Sequence, residues 1–255
     1  MKSRRLWLFT LTSVAFLLVV WTAVTAIGAV NPLFLPGPGL LASSFVDLTL
    51  HGYKGYSLPE HIGISLMRVA LGFGTGTAVG TIIGLGMGMV PLLDAFVAPF
   101  VEFLRPLPQL AYLVLLIVWF GIGETSKIVL LFLTALPVAA IAARDGVRSV
   151  PRERVLAARA LGATPMQIFI HVVFPSALPE IFIGARLAVG IVYATLIAAE
   201  IIAGSDGIGW LVFDAGRFLR SDYVFVGVLL IGLMGLGIDR ALSALERRIV
   251  HWAGR

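Results

Sequence analysis

Hydrophobic residues form long uninterrupted runs along this chain, and charged residues collect in the short segments between those runs. A helix rises ~1.5 Å per residue, so about 20 apolar residues are needed to cross the hydrocarbon core of a bilayer. The pattern predicts six membrane-spanning helices, at about 6–30, 69–90, 95–120, 128–143, 183–203 and 223–240. We therefore expect an all-α polytopic membrane protein in which residues 1–255 form a single domain.

The first apolar run has two interpretations. A basic segment, residues 2–5, precedes it, as in a secretory signal peptide, but the run exceeds the ~7–15 apolar residues of such a signal. A retained first span is therefore favoured over a cleaved signal. Breaker residues between Asn31 and Gly39 end this run, and we expect a loop from there to Arg68.

The second span carries glycines at a constant spacing of four residues: Gly72, Gly76, Gly80, Gly84 and Gly88. Residues four apart lie on the same face of a helix. A face without side chains lets a neighbouring helix approach closely, which is a common packing device in membranes. The stripe therefore predicts helix packing rather than ligand binding.

Two prolines, Pro106 and Pro108, interrupt the third span. Proline breaks the hydrogen-bond ladder of a helix, so the span should kink or restart there. Glu102 and Arg105 come just before this break, where charge and exposed backbone could meet an anionic or zwitterionic solute in a translocation pathway. The alternative is an intrahelical ion pair near the cytoplasmic face, since the two residues are three positions apart.

Glu200 lies within the fifth span. An ionisable residue inside a membrane is costly, and it is therefore a candidate for the translocation pathway. The alternative is a structural hydrogen bond near the outer end of the span, because Ser205 and Asp206 follow closely. The sequence favours neither of these two interpretations over the other.

Composition supports a membrane protein and excludes several other classes. The chain is 59% hydrophobic and 13% charged, with a mean hydropathy of +0.99, whereas charged residues make up ~25% of soluble domains. The net charge of +5 is basic, but the basic residues flank apolar spans rather than alternating with aromatic residues, so lipid and not nucleic acid is expected around the chain. Without cysteines there can be no disulfide, thiolate metal site or cysteine nucleophile.

Lysine and arginine are distributed unequally between the two ends of the predicted spans. Three precede the first span, five arginines lie at 144–159, and four follow the sixth span. The segments on the opposite side carry five: Lys54, Arg68, Lys127, Arg217 and Arg220. By the positive-inside rule, both termini and the arginine-rich segment are expected in the cytoplasm.

Motifs of nucleotide binding and of membrane catalysis are missing from the sequence. No lysine completes G-x-x-x-x-G-K-[ST], and there is no H-E-x-x-H or G-x-S-x-G. The four histidines are too scattered to suggest a metal site. We expect no cofactor, no metal and no enzyme activity in this chain, so an ATPase would have to be another subunit.

The arginine-rich segment, residues 150–175, has the features of two short helices. Pro151 is suited to the start of the first and Gly162 to its end, and a second can begin after Thr164 and Pro165. Small and apolar residues displayed between arginines make a docking surface for a partner. The alternative is an ordinary loop that is basic only for membrane orientation.

The run Ala157-Ala158-x3-Gly162-x9-Val172, with Pro175 three residues later, resembles the EAA motif (E-A-A-x3-G-x9-I-x-L-P) of permease subunits of ABC importers. The match departs at 156, where leucine replaces the glutamate of the motif, although Glu153 one turn earlier could partly replace it. In that family the segment forms coupling helices that sit in a groove of the cytoplasmic ATPase. The resemblance implies an ATPase-coupling role for Arg152, Arg154, Ala157, Ala158, Leu161, Gly162, Ala163, Thr164 and Pro175.

Further stretches, at 105–108, 119–127, 177–181 and 198–203, are similar to the nitrate, sulfonate and taurine branch of these permeases, most of all to taurine permeases. The resemblance implies the type I ABC importer permease fold in a bacterial inner membrane. It also implies import of a small sulfonate such as taurine, or of a related anion. The implied partners are a second permease copy, two ATPase subunits that bind ATP-Mg, and a periplasmic binding protein. An ion- or proton-coupled carrier that uses Glu200 is the alternative.

Overall fold

Helices account for nearly all of the chain in the computed structural model, which describes residues 2–252 apart from the side chains at positions 2–8, 10, 11 and 14. The basic side chains at positions 2, 4, 5 and 255, which enter the predicted charge asymmetry, lie outside the described residues. The helices are α1 (Lys2–Ala26), α2 (Pro38–Leu50), α3 (Leu58–Met89), α4 (Pro91–Leu104), α5 (Gln109–Phe120), α6 (Glu124–Arg148), α7 (Arg152–Ala160), α8 (Pro165–Ile168), α9 (Phe174–Ala203), α10 (Ile208–Arg217) and α11 (Ser221–Ile249). A π-helical turn, Phe169–Val173, joins α8 to α9.

Four helical segments in the described part of the chain are long and apolar enough to cross a membrane: α3, α6, α11 and the continuous run Pro165–Ala203. Helices α4 and α5 pass the same test together, but they are bent by 98° at the break predicted from the prolines. The described apolar stretch of α1, Ala15–Ala26, is shorter than a span. The all-α polytopic architecture is thus confirmed, with four or five spans by length and composition; the predicted six also count α1.

The glycine stripe of α3 faces α6 along its whole length. A Cβ atom built on any of the five glycines would come closer than 3.0 Å to a backbone or side-chain atom of α6, a distance that real Cβ atoms essentially never show. The contacts run in step, from Gly72 against Leu131 to Gly88 against Val147, so α3 and α6 are parallel. Because the two helices are parallel, the chain must cross back between them, and the bent pair α4–α5 is the segment available for that crossing.

Helix α9 packs antiparallel against α6, with Gly146 near Ala177 and Gly184 near Ala142. One end of the bundle therefore carries the start of α3 and the end of α9, together with α2 and α10. The opposite end carries α7 and α8. These directions separate the two candidate sites described below.

The predicted loop over residues 31–68 is wrong, because most of it is helical. Helix α2 begins at Pro38, a position where the missing N–H costs no hydrogen bond. Its buried residues follow the helical spacing of three and four: Leu41, Ser44 and Leu48. The leucines pack in one apolar cluster with residues of α10 and α11. Pro38, predicted as a helix breaker, instead starts α2, because the apolar face of α2 packs against α10 and α11.

The second span also begins earlier than the predicted residue 69. Ser57 and Glu60 form a capping box at the start of α3, in which the Glu60 carboxylate accepts from the Ser57 amide at 2.6 Å. Helices α6, α9 and α11 are likewise longer than their predicted apolar runs, for example α6 by several residues at each end. Some of the added polar residues are paired within the chain, as Glu124 at the start of α6 is with Arg68.

Candidate functional site

Helix α7 projects from the bundle with none of its residues buried. It ends in a Schellman motif, in which the amide of Gly162 donates to the carbonyl of Arg159 at 2.9 Å and that of Ala163 donates to Ala158 at 3.1 Å. Gly162 has a φ of +83° and no atom within 4 Å of an added Cβ. Glycine is needed here for its backbone conformation rather than for space.

The second short helix, α8, begins at Pro165 as predicted from the Thr164–Pro165 pair. Thr164 caps it in a capping box with Gln167. Pro175 lies in the first turn of α9, directly after the π-helical turn Phe169–Val173. The Schellman motif that ends α7 and the capping box that starts α8 therefore set the shape of the segment between α6 and α9. This segment, α7 and α8, is here called the knuckle.

The surface of this knuckle combines exposed apolar side chains with unburied arginines. Leu161 is 89% exposed and Met166 is 64% exposed. Large apolar side chains with this exposure, surrounded by charge, are typical of a protein-interaction surface. Leu156, which replaces the motif glutamate, is 51% exposed, and Glu153 is exposed one turn before it.

A second group of residues, here called the polar cluster, lies at the opposite end of the bundle. It consists of Ser65 and Arg68 from α3, Glu124 and Lys127 from α6, Glu200 from α9, and Asp206 from the turn after α9. The Arg68 side chain is 0% exposed. Its Nε donates to Oε2 of Glu124 at 2.7 Å and its Nη1 donates to Oε1 of Glu200 at 2.8 Å. Its Nη2 donates to Asp206.

The carboxylate of Glu200 is fully occupied within the chain. Besides Arg68, its Oε1 accepts from the Ser65 hydroxyl at 2.7 Å, and its Oε2 accepts from the amide of Gly209 at 2.9 Å. The turn just before α10 contains Gly207, which has a φ of +95° and no room for a Cβ beside Glu200. This geometry matches the structural interpretation of Glu200, since both oxygens hold protein groups in place.

Arg68 was missed by sequence reasoning, which placed it at the end of a loop. A signal was present, because His61, Ser65, Arg68 and Gly72 follow one another at spacings of four, three and four. These spacings place them on one face of α3, whose polar part leads into the glycine stripe. Among the described residues no group of three or more histidines or carboxylates is arranged to hold a metal ion; Glu124, Glu200 and Asp206 converge on Arg68 instead.

The other two pathway candidates do not pair with each other. Oε1 of Glu102 lies 3.0 Å from Nη1 of Arg144 on α6, so the predicted intrahelical pair of Glu102 and Arg105 does not form. Arg105 caps the end of α4 at the 98° bend and lines a cavity against α6 and α9. The structure therefore separates Glu102, Arg105 and Glu200 into three different environments.

Tyr53 lies in the turn between α2 and α3, at the same end of the bundle as the polar cluster. Its hydroxyl donates to Oδ2 of Asp214 at 2.9 Å. Burial raises the pKa of Tyr53 to about 12, and the hydrogen bond to Asp214 acts in the same direction. Lys54 lies 3.4 Å from the same carboxylate oxygen. Tyr53 consequently remains a protonated donor throughout the physiological pH range.

Comparison with known proteins gives consistent matches along the chain. The family described as binding-protein-dependent transport system inner membrane component matches residues 76–251. The taurine transport system permease protein TauC of Escherichia coli (strain K12) is 40% identical over 245 residues, which are 95% of this chain and 88% of that protein. The putative aliphatic sulfonates transport permease protein SsuC of Bacillus subtilis (strain 168) is 33% identical over 251 residues, 98% of this chain and 90% of the relative.

Two further matches extend the comparison to nitrate permeases and to solved structures. The nitrate import permease protein NrtB of Synechocystis sp. is 30% identical over 243 residues, 93% of this chain and 87% of the relative. An inward-facing structure of the MetNI methionine ABC transporter superposes with a TM-score of 0.56 and 25% identity, covering 71% of this chain and 93% of the matched chain.

Proposed function

This chain belongs to the family of binding-protein-dependent transport system inner membrane components, and we propose that it forms the translocation pathway of an ATP-driven importer. It is a multi-pass ABC importer permease of the taurine, sulfonate and nitrate branch and not an enzyme. The observation that carries the ATP-driven role is the knuckle of α7 and α8, with its exposed apolar side chains and arginines. Such a surface suits a rigid element that docks in a groove of a separate ATPase.

The proposed assembly contains two copies of this chain, two cytoplasmic ATPase subunits that bind ATP-Mg, and a periplasmic binding protein. The knuckle, and with it both chain termini, would face the cytoplasm. Closure of the ATPase pair on ATP would move the two knuckles and rock the spans between inward-facing and outward-facing states. The coupling requires that the ATPase contacts differ between the two states, and a docked rigid helix can transmit such a difference.

The proposed substrate is a small sulfonate such as taurine, or a related anion. The support is the naming of the relatives, which include a taurine permease, a putative aliphatic sulfonate permease and a nitrate permease. A proton-coupled carrier would need Glu200 to exchange protons with solution, but this side chain is 0% exposed and both of its oxygens are occupied. The ATP-driven importer is therefore the better supported of the two.

Uptake of labelled taurine into vesicles tests the two mechanisms directly. The vesicles contain the chain with its co-purifying ATPase and binding protein, and they are either depleted of ATP with a proton gradient held, or supplied with ATP without a gradient. We expect uptake only in the second condition. Uptake that survives ATP depletion would establish the carrier instead.

A charge placed on the docking face of α7 should uncouple transport. Ala158 faces the groove between α7 and α8, and an unpaired charge buried in an interface costs about 2–5 kcal/mol. We therefore expect Ala158→Glu to weaken ATPase binding by ~30-fold or more and to abolish uptake, while membrane insertion is retained. Ala160→Glu is the matched control, because residues two apart lie on different sides of a helix. Normal uptake in Ala158→Glu would refute the docking assignment.

Gly162→Ala should weaken coupling through the backbone alone. An alanine held at the φ of +83° found here costs roughly 1–2 kcal/mol, and it would favour unwinding of the end of α7. We expect a partial loss of ATP-dependent uptake, measured beside Gly63→Ala, which changes an exposed helical glycine with no atom within 4 Å of the added Cβ. An equal effect of the two changes would contradict the role given to the Schellman motif.

A further inference from the structure

A cavity of about 190 Å³ lies between the bend of the α4–α5 pair and the facing surfaces of α6 and α9. Pockets for drug-sized ligands occupy roughly 300–1,000 Å³, so this one suits a smaller solute. It is close to the end of the bundle that carries the knuckle, since Asp145 is near the end of α6 and Glu180 near the start of α9. The polar cluster lies at the other end and shares no residue with it.

The cavity brings together side chains of opposite charge from three helical segments: Arg105 at the bend, Asp145 on α6 and Glu180 on α9. Asp145 is partly engaged, with Oδ1 at 3.2 Å from Nε of Arg144. Arg105 and Glu180 make no salt bridge with any residue that the structure describes. A guanidinium and a carboxylate thus face one small space without a protein partner.

The walls between these charges are apolar and closely supported. Ile183 and Leu187, one turn apart on α9, line the cavity with substantial exposure. At Gly184 a Cβ would come closer than 3.0 Å to the Cβ of Ala142, so α6 and α9 touch at the floor. Asp145 and Glu180 are therefore carried by two helices in close contact, and Arg105 faces them from the bend between α4 and α5.

We propose that this cavity is a binding subsite for a zwitterionic aminosulfonate. The guanidinium of Arg105 binds the sulfonate, the carboxylates of Glu180 and Asp145 bind the ammonium group, and the apolar wall accepts the methylene groups between them. A simple anion would satisfy Arg105 but leave carboxylates unpaired beside a like charge, so the subsite discriminates against sulfonates that lack the amine. This inference rests on the proposed function, narrows its substrates to zwitterionic aminosulfonates and names the residues that select them.

The test is binding of labelled solutes to the detergent-purified complex of this chain with its ATPase, without the binding protein, by equilibrium dialysis. The probes are taurine and ethanesulfonate, which differ in the amine. We expect the affinity for taurine to exceed the affinity for ethanesulfonate by ~10-fold or more. Equal binding of the two probes, or no taurine binding up to about 10 mM, would overturn the proposal.

Variants of the cavity residues separate the two halves of the subsite. Glu180→Gln should weaken taurine binding and bring the ratio of the two affinities close to one, whereas Arg105→Gln should weaken both probes alike. Glu153→Gln, the same change at an exposed carboxylate outside the cavity, should leave the ratio of the two affinities unchanged. Glu180→Asp keeps the carboxylate, so it should retain part of the preference for taurine that Glu180→Gln loses. The variants are compared at equal monodispersity. An unchanged ratio in Glu180→Gln would overturn the assignment of the ammonium contact.

The binding experiment and the uptake experiment in vesicles can fail separately. ATP-dependent uptake by a complex that binds both probes equally would leave the importer in place and remove only this subsite. Discrimination at the cavity together with ATP-independent uptake would do the reverse.

Discussion

Replacing Arg68 by leucine is expected to destabilise the chain by about 3–5 kcal/mol, the usual cost of removing one partner from a buried ion pair. The guanidinium is completely buried and meets carboxylates from α6, α9 and the turn after α9. Without it, the buried carboxyl group of Glu200 would keep only the Ser65 hydroxyl and the Gly209 amide as donors. The cluster would open, and the three spans would lose their polar connection.

The measurement is the thermal stability and monodispersity of the purified variant in detergent. Arg148→Leu serves as the control, because its partner Asp94 is also a carboxylate but its own side chain is 49% exposed, and exposed pairs contribute only ~0–1 kcal/mol. Arg68→Lys should recover little stability, since one ammonium group cannot reproduce the donors that a guanidinium directs to three carboxylates. Equal stability of Arg68→Leu and Arg148→Leu would show that the cluster does not hold the spans together.

Gly84→Val is expected to disrupt assembly of the bundle, with a loss at or above ~3 kcal/mol, the upper end of the usual cost of overpacking. A Cβ at this position would come closer than 3.0 Å to the carbonyl group of Ala140 and to the Cβ of Ala143. The obstacle is mainly backbone, which cannot rotate away as a side chain can. The only relief is to separate α3 from α6, which removes their contact over several turns.

Gly74→Val provides the matched comparison in the same helix. Gly74 is exposed and has no atom within 4 Å of an added Cβ, so the change tests only the helix propensity of valine. We expect the Gly74 variant to insert and purify like the wild type, and the Gly84 variant to aggregate or to lose its folded fraction in detergent. Comparable behaviour of the two variants would contradict close packing along the stripe.

Local patterns in the sequence were sufficient for much of this architecture. The apolar runs located the four described segments that are long and apolar enough to cross a membrane, and the two prolines after Arg105 located the bend. The spacing of Gly72 to Gly88 indicated a packing face without identifying α6 as its partner, because spacing within one helix carries no information about its neighbour. The knuckle could be anticipated as two short helices because proline, threonine and glycine signals act over a few residues.

The misses have a common cause. The prolines and glycines between Asn31 and Gly39 predict a loop, but helix α2 forms there because it packs on α10 and α11, far along the chain. The same prediction places Arg68 at the end of the loop, whereas it lies inside α3, where it pairs with carboxylates that follow it in sequence by 56 residues or more. Contacts of this kind cannot be read from a local window.

The amino-acid sequence by itself determined which segments are apolar enough to span the membrane, where the chain bends, and which segment forms two short helices between α6 and α9. These properties depend on hydrogen bonding and hydropathy within a few turns of helix. Only the tertiary structure decided which helix meets the glycine stripe, which carboxylates surround Arg68, and that Arg105 and Glu180 share one cavity. Those pairings are set by the directions in which distant helices pack, and their energy exists only when all the helices are in place.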